Sequence, residues 1–211
     1  TALQRNRIYT VTVNTLSDCV NNGIGTSNTA RVGLYEHTDS LDMVVNEVLF
    51  NPSTTSHDYV EIYNRSNKIL NLRQAYLANL NTSGVISSIT QLSAEDYLLF
   101  PGDFMVATDN ADLVKATYIT QNPDAFIQIT MPSFNDDEGN VILLNEQGNI
   151  VDQLAYKDDW HFKLISNEEG VSLERIDYNA PTQQEQNWHS AASSAGYGTP
   201  TYKNSQFRVD A

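Results

Sequence analysis

The stretch DYVEIYN, residues 58–64, decides the fold of this chain. Successive side chains of a strand point to opposite faces of a sheet, so Val60 and Ile62 share one face while Glu61 lies with two tyrosines on the other. This alternation predicts a strand with one face on a hydrophobic core. The second face carries a carboxylate in mid-strand and is expected to meet solvent or a covering loop.

Similar short runs recur along the whole chain, each closed by Asn, Asp, Gly or Pro. Such spacing predicts an all-β protein, a β-sandwich or barrel, because β-branched and aromatic runs between turn residues are typical of strands. The further predicted strands are residues 8–13, 30–35, 43–50, 75–79, 97–100, 104–107, 141–144, 151–155 and 171–175. One short helix is predicted at residues 110–116, capped by Asp109 or Asn110.

Composition limits the classes of partner. The 211 residues carry 12 Lys and Arg against 26 Asp and Glu, a net charge of −14. A field of this sign repels phosphate backbones, so we expect no nucleic-acid partner. The sequence lacks a run of about 18 apolar residues, and we therefore expect no direct membrane insertion. Cys19 is the single cysteine, which excludes an intrachain disulfide.

The polar, unpatterned residues 36–42 predict a linker between two parts of the chain. We assign residues 1–37 to the end of a preceding domain and residues 42–206 to the main domain. A two-stranded hairpin is marginally stable alone, so the first part must pair with the main domain, pair with another chain, or end a preceding domain. Since the chain begins at Thr1, we expect it to be an excised piece of a larger protein.

Six segments in order resemble the bacterial lamin-tail domain family. They are VVNEVLFNP (44–52), DYVEIYNRS (58–66), NLRQAYL (71–77), LFPGDF (99–104), GVSLER (170–175) and the closing pair NWHSA (187–191) with GTPTYKNS (198–205). The third departs from the family pattern, because Gln74 and Ala75 stand where the family has Gly and Trp. Residues 9–24, by the pattern YTVTV and LSDCVNNGI, resemble the last strands of a bacterial immunoglobulin-like domain.

The resemblance implies an immunoglobulin-like β-sandwich with one short helix, preceded by an N-terminal β-hairpin or a partial immunoglobulin-like segment. It also implies a place in a large secreted or cell-surface protein, with a role in interaction or anchoring. We therefore expect a partner that is a protein, a glycan or cell-envelope material, with a dimer through the N-terminal hairpin as one form. Nuclear function is not carried over, since the sequence shows no coiled-coil heptads.

Two carboxylates are candidates for more than a structural role. Glu61 in mid-strand is expected to accept backbone N–H bonds from a loop and fix it, or else to act as a ligand or an acid–base group. Glu47 has the same alternatives. Catalysis would need a concave pocket with converging carboxylates of shifted pKa.

The acidic stretch NDDEGN, residues 135–140, is the best candidate for a calcium site, and Asp158 with Asp159 is a weaker one. The EF-hand spacing fails there, which favours a solvated turn. The four histidines form no HxH or HExxH pair, so no metal, cofactor or catalytic residue is assigned. Trp188 is expected to fill one end of the sandwich, and Trp160 to be exposed at the surface.

The sequence thus predicts a non-catalytic interaction or anchoring module of a secreted or cell-surface multidomain protein. Three alternatives remain. The first is a metal-assisted hydrolase that uses acidic loop residues, and the second is a glycan-binding module. A purely structural spacer is the third alternative.

Overall fold

The computed structural model describes residues 2–208, and in them the chain forms fourteen strands. The strands are β1 (Tyr9–Thr12), β2 (Thr29–Val32), β3 (Met43–Leu49), β4 (Tyr59–Asn64), β5 (Leu70–Asn71), β6 (Ala75–Leu80), β7 (Ile86–Gln91), β8 (Leu98–Leu99), β9 (Phe104–Thr108), β10 (Phe126–Gln128), β11 (Glu138–Asn145), β12 (Ile150–Lys157), β13 (Leu173–Arg175) and β14 (Trp188–Ser190).

Two sheets form the immunoglobulin-like sandwich. One has six strands in the order β10-β9-β4-β3-β13-β14, and the other has four in the order β12-β11-β6-β7. Pairing is antiparallel except between β9 and β10. Two small sheets, β1-β2 and β5-β8, complete the strands. The all-β prediction is confirmed, and the sandwich replaces the barrel alternative.

The core lies between the two sheets and is built by the alternation that the sequence predicts. Val60 and Ile62 of β4 point inward, with apolar side chains of β3, β9 and β13 beside them. From the second sheet, Leu77, Leu143 and Leu154 meet them. Each such side chain removed from water stabilises the fold by about 1.5–3 kcal/mol.

Helical structure is sparse, as expected. The helix α1 (Ala111–Thr117) begins at the cap Asn110, whose side chain accepts a hydrogen bond from the Leu113 amide at 3.1 Å. Four single 3-10 turns lie at Leu72–Gln74, Asp158–Trp160, Glu185–Asn187 and Ser193–Ala195. No helix within residues 2–208 has the length and apolar character that a membrane crossing requires.

Several predicted strand limits differ from those observed. The strand expected at residues 171–175 begins only at Leu173, and the strand expected at residues 30–35 ends at Val32. The strands β5, β7, β10 and β14 escaped the sequence reasoning, because each is short or rich in Ser, Thr and Gln.

Candidate functional site

A row of three buried glutamates crosses the outer face of the six-stranded sheet. Glu47 on β3 lies opposite Glu61 on β4 and, on its other side, opposite Glu174 on β13. All three residues have 0% exposure. We call Glu47, Glu61 and Glu174 the glutamate row. Buried carboxylates are costly unless they are paired or protonated, so the row needs a physical explanation.

A bulge in β3 places Glu47 in this row. The register shifts between Val45 and Glu47, which leaves Asn46 without a partner on β4. Without the extra residue, strict alternation would turn Glu47 toward the core with Val45. The freed Asn46 side chain donates to Oε1 of Glu61 at 2.7 Å.

The glutamate row is covered by residues 199–206, a segment that we call the strap. Its backbone amides bind the row directly. The Thr199 N–H donates to Glu47 at 2.9 Å, and the Gln206 N–H donates to Glu174 at 2.8 Å. The Thr201 N–H donates to Oε2 of Glu61 at 2.5 Å. The prediction that Glu61 fixes a loop through backbone amides is therefore confirmed, and Glu47 does the same.

One hydroxyl joins two carboxyl groups of the row. Oγ1 of Thr199 lies 3.0 Å from Oε2 of Glu47 and 2.8 Å from Oε1 of Glu174. A hydroxyl has a single proton, so it can donate to only one of them. The other contact is a hydrogen bond only when the carboxyl group itself carries a proton. The other oxygen of Glu47 accepts from the hydroxyls of Tyr59 and Ser172, each at 2.5 Å.

Burial dominates the electrostatics of the row. It raises the pKa of Glu47 to about 7, and the negative charge of Glu174 adds to the shift. Hydrogen bonds from Ser172, Tyr59 and the Thr199 amide act in the opposite direction. Burial also raises the pKa of Glu61 well above its usual range, with a further contribution from Glu47. The proton that the Thr199 geometry requires is therefore held within the row near neutral pH.

The glutamate row binds a segment of the protein's own chain, the strap. Each row carboxylate accepts hydrogen bonds from the strap, and each is closed off from solvent. A surface cleft of about 380 Å³ lies elsewhere, lined by Asn135, Glu138 and Tyr156 on the four-stranded sheet. The raised pKa values of Glu47 and Glu61 thus belong to a covered site that lies apart from this cleft.

Sequence reasoning missed a second buried network, which ties the sheets together. The guanidinium of Arg175 lies 3.2 Å from the carboxylate of Asp152 on β12 and donates to the Val45 carbonyl at 2.7 Å. Thr182 donates to the same carboxylate at 2.5 Å. The signal in the sequence is the adjacent pair of charges, Glu174 and Arg175, because their side chains must point to opposite faces of the predicted strand.

The acidic stretch 135–140 comprises the bend before β11 and the first three residues of that strand. Asp158 donates its amide to the Asp137 carbonyl at 2.7 Å, and Glu138 pairs loosely with Lys157 at 3.6 Å. Within residues 2–208, no group of three or more His, Cys, Asp or Glu side chains is arranged to hold a metal ion. Near this turn, burial raises the pKa of Asp58 to about 7, and Asp136 and Asp109 contribute.

The tryptophans and the cysteine differ in how they match expectation. Trp188 is buried in the core, and its indole N–H donates to the Thr182 carbonyl at 2.7 Å, as an end-filling residue should. Trp160 was expected at the surface, but it is partly buried and packs against the core cluster. The reason is the 3-10 turn Asp158–Trp160 after β12, which directs the indole inward. Cys19 is exposed.

The N-terminal hairpin of β1 and β2 contacts the sandwich by its polar face. The Arg31 guanidinium forms a two-pronged ion pair with Asp103, at 2.6 and 3.1 Å, and lies 4.3 Å from the centre of the Phe100 ring. The opposite face is apolar. It carries Tyr9 and Val11 of β1 with their cross-strand neighbours Val32 and Ala30, and Val13 follows directly after the strand.

Much of that apolar face is open to solvent, since Val11 is exposed by 47% and Val13 by 40%, while Tyr9 and Val32 at its other end are partly buried. We call it the open face of the hairpin. A sheet face of this composition is normally covered by another layer.

Comparison with known proteins identifies part of the chain. A family model described as the Lamin Tail Domain matches residues 36–158, more than half of the 211 residues. The match includes Glu47 and Glu61 and ends before Glu174 and the strap. No curated protein matches the chain. The division at residues 1–37 and 42–206 remains a prediction.

Proposed function

Because the chain belongs to the lamin tail domain family, we propose that it is a non-catalytic interaction or anchoring module of a secreted or cell-surface multidomain protein. The observation that carries the proposal is the contrast between its two candidate surfaces. The glutamate row is sealed by the chain's own strap, whereas the open face of the hairpin is apolar and uncovered. A binding module needs the second kind of surface, and an acid–base enzyme needs the first kind left open.

The open face is the contact surface in this proposal, and its occupant is a second copy of the chain. Two apolar faces of this kind pack in layers about 10 Å apart, as the sheets of a sandwich do. Burial of Val11 and Val13 between two copies stabilises the dimer by about 25 cal/mol per Å² of apolar area removed from water. The acidic charge of the chain does not oppose this contact, since the hairpin segment 1–35 carries three arginines and only one aspartate.

Placement at the cell surface rests on residues 9–24, which resemble the end of an immunoglobulin-like domain. Fractionation of cells that produce the parent protein tests this part, and a purely cytosolic location would overturn it.

The test of the contact surface is a pair of matched hairpin variants. Val11→Asp with Val13→Asp places two charges on the open face, and Thr10→Asp with Thr12→Asp places the same charges on the opposite face. Molar mass is measured by light scattering up to hundreds of micromolar, a range that detects dissociation constants weaker than about 10 μM.

We expect the wild type and the threonine variant to dimerise and the valine variant to remain monomeric. A wild-type chain that is monomeric throughout this range would overturn the second copy as the occupant. Equal loss of the dimer in both variants would show that charge on the hairpin, and not the open face, matters.

A further inference from the structure

We propose that the strap is a pH-sensitive cover, held on the sheet by protons within the glutamate row and released when the row loses them. The first ground is geometry. Thr199 contributes one hydroxyl proton to two carboxyl oxygens, at 3.0 Å on Glu47 and 2.8 Å on Glu174. When Glu47 carries a proton, its carboxyl group donates a hydrogen bond to the Thr199 hydroxyl, and that hydroxyl donates one to the Glu174 carboxylate.

Loss of that proton leaves two negative oxygens facing one hydroxyl. One contact then becomes a repulsion between Oε2 of Glu47 and the Thr199 oxygen, in a site with no access to water. Glu61 lies opposite Glu47 on the neighbouring strand, and its charge adds to the repulsion once it too loses its proton. Such interactions are strong where the effective dielectric constant is low.

The titratable groups around the row are tyrosines and His189, which lies opposite Glu174 on β14 and whose Nδ1 lies 2.9 Å from the Ser190 carbonyl oxygen. Tyr59 from β4 donates to Glu47, and Tyr118 from α1 donates to the Gly170 carbonyl. Tyr178 and Tyr202 face the row from the loops, since the glutamate charges contribute to the raised pKa of each.

The nearest cations are engaged elsewhere. The Lys203 ammonium lies 4.1 Å from the centre of the Phe207 ring, and Arg65 donates to the Tyr178 carbonyl at 3.1 Å. Arg175, adjacent to Glu174 in sequence, points to the opposite face and pairs with Asp152. Among residues 2–208, no ion pair reaches the glutamate row.

The strap, and not the strands beneath it, is the element that moves when the row loses its protons. Strands β3 and β4 have neighbours on both sides in the sheet, and so does β13. The strap forms no strand, and its amides at Thr199, Thr201 and Gln206 are bound by the glutamates themselves. Asn204 is its non-titrating anchor, because its side chain donates to the carbonyls of Asn46 and Arg175. Release therefore uncovers the outer face of the three strands while they stay paired.

The pKa directions agree with this device. Burial raises the pKa of Glu47 to about 7 and that of Glu61 well above its usual range. A group with a raised folded-state pKa stabilises the covered form at low pH, and this stability is lost as pH rises through that pKa. The strap is thus expected to be closed in mildly acidic solution and to open above neutral pH.

The experiment is amide hydrogen exchange of the full chain, followed by NMR at about pH 6 and about pH 8.5 and expressed as protection factors. The reporters are the strap amides of Thr199, Thr201 and Gln206. The internal controls are the amides of Leu72 and Leu92, which bind the backbone carbonyls of Tyr97 and Ala75, outside the six-stranded sheet. We expect protection of the strap amides to fall about ten-fold or more and that of the controls to stay constant.

Two variants and one matched control complete the test. Glu47→Gln replaces the protonated carboxyl by an amide of the same shape, so strap protection should depend on pH much less than in the wild type. Glu61→Gln should weaken the dependence, and Glu138→Gln at an exposed position should leave it unchanged. Strap amides in the wild type that keep their protection at about pH 8.5 would overturn the proposal, whether or not the variants fold.

Discussion

The two faces of β13 carry buried polar networks that solve the same problem differently. Glu174 points outward into a row of carboxylates without a cation, whereas Arg175, the next residue, points inward and pairs with Asp152. A buried charge must be neutralised or compensated. On the outer face a proton neutralises it, and on the inner face a guanidinium compensates it.

This difference makes one network sensitive to pH and the other constant. Burial lowers the pKa of Arg175 to about 10, and the Asp152 charge limits the shift, so the guanidinium keeps its charge at neutral pH. Glu47, with a pKa raised to about 7, changes its charge there. The inner pair therefore acts as a permanent tie between the sheets, and the outer row as a conditional one.

The largest expected effect comes from breaking the inner pair. Arg175→Met removes the guanidinium and leaves the Asp152 carboxylate buried without its countercharge. We expect a loss of about 3–5 kcal/mol in the free energy of unfolding, measured by urea denaturation at about pH 6. The matched control is Arg73→Met, whose ion pair with Asp96 is exposed and whose loss should cost about 0–1 kcal/mol. Equal stability of the Arg175 variant and the wild type would show that the pair does not tie the sheets.

The outer row gives the next effect, without a mutation. The folded-state pKa of Glu47 is above its usual value, so its contribution to stability is present below about pH 4.5 and is lost as pH rises through about 7. We expect the free energy of unfolding to fall by up to about 3 kcal/mol between about pH 5 and about pH 8.5. Denaturation curves at both values measure it, and stability that rises over this range would contradict the assignment.

A smaller effect tests what Trp188 contributes beside the inner pair of Arg175 and Asp152. Trp188 donates to the Thr182 carbonyl, and the Arg175 guanidinium lies 5.3 Å from the centre of its ring. Trp188→Phe keeps an aromatic ring but removes the N–H donor, so we expect a loss of about 1–2 kcal/mol, independent of pH between about 5 and about 8.5. A pH-dependent loss would mean that the two networks are coupled through β13.

The contrast between the networks also marks how far the sequence could predict the molecule. Alternation in residues 58–64 predicts β4 and its inward face correctly, because the period of a strand is a local property. The bulge at Asn46 is not local, since it depends on pairing with β4 and on the contact with Asn204. Without the bulge, Glu47 cannot be assigned to the row from sequence.

The partners of both networks lie far apart in the chain. The strap reaches Glu47 over more than 150 residues at Thr199, and Arg175 reaches Val45 over 130. The segment GTPTYKNS has no hydrophobic pattern, so periodicity predicts a loop there and gives no target for it. The resemblance to the family orders these segments along the chain but does not state which side chains meet.

The smallest expected effect comes from Asp58, a carboxyl group that resembles neither the glutamate row nor the Arg175–Asp152 pair fully. Asp58 has neither the full burial of the glutamate row nor a cation, and its pKa is raised to about 7 by partial burial, then by Asp136 and Asp109. Asp58→Asn removes a charge that is unfavourable above that pH. Because the side chain is partly exposed, solvent screening limits the gain in stability to below about 1 kcal/mol at about pH 8.5, with none at about pH 5. The measurement is a pair of urea denaturation curves, with Asp112→Asn on the exposed face of α1 as the control. A gain as large as the change seen for the glutamate row would mean that neighbouring negative charge, and not burial, sets the pH response of both sites.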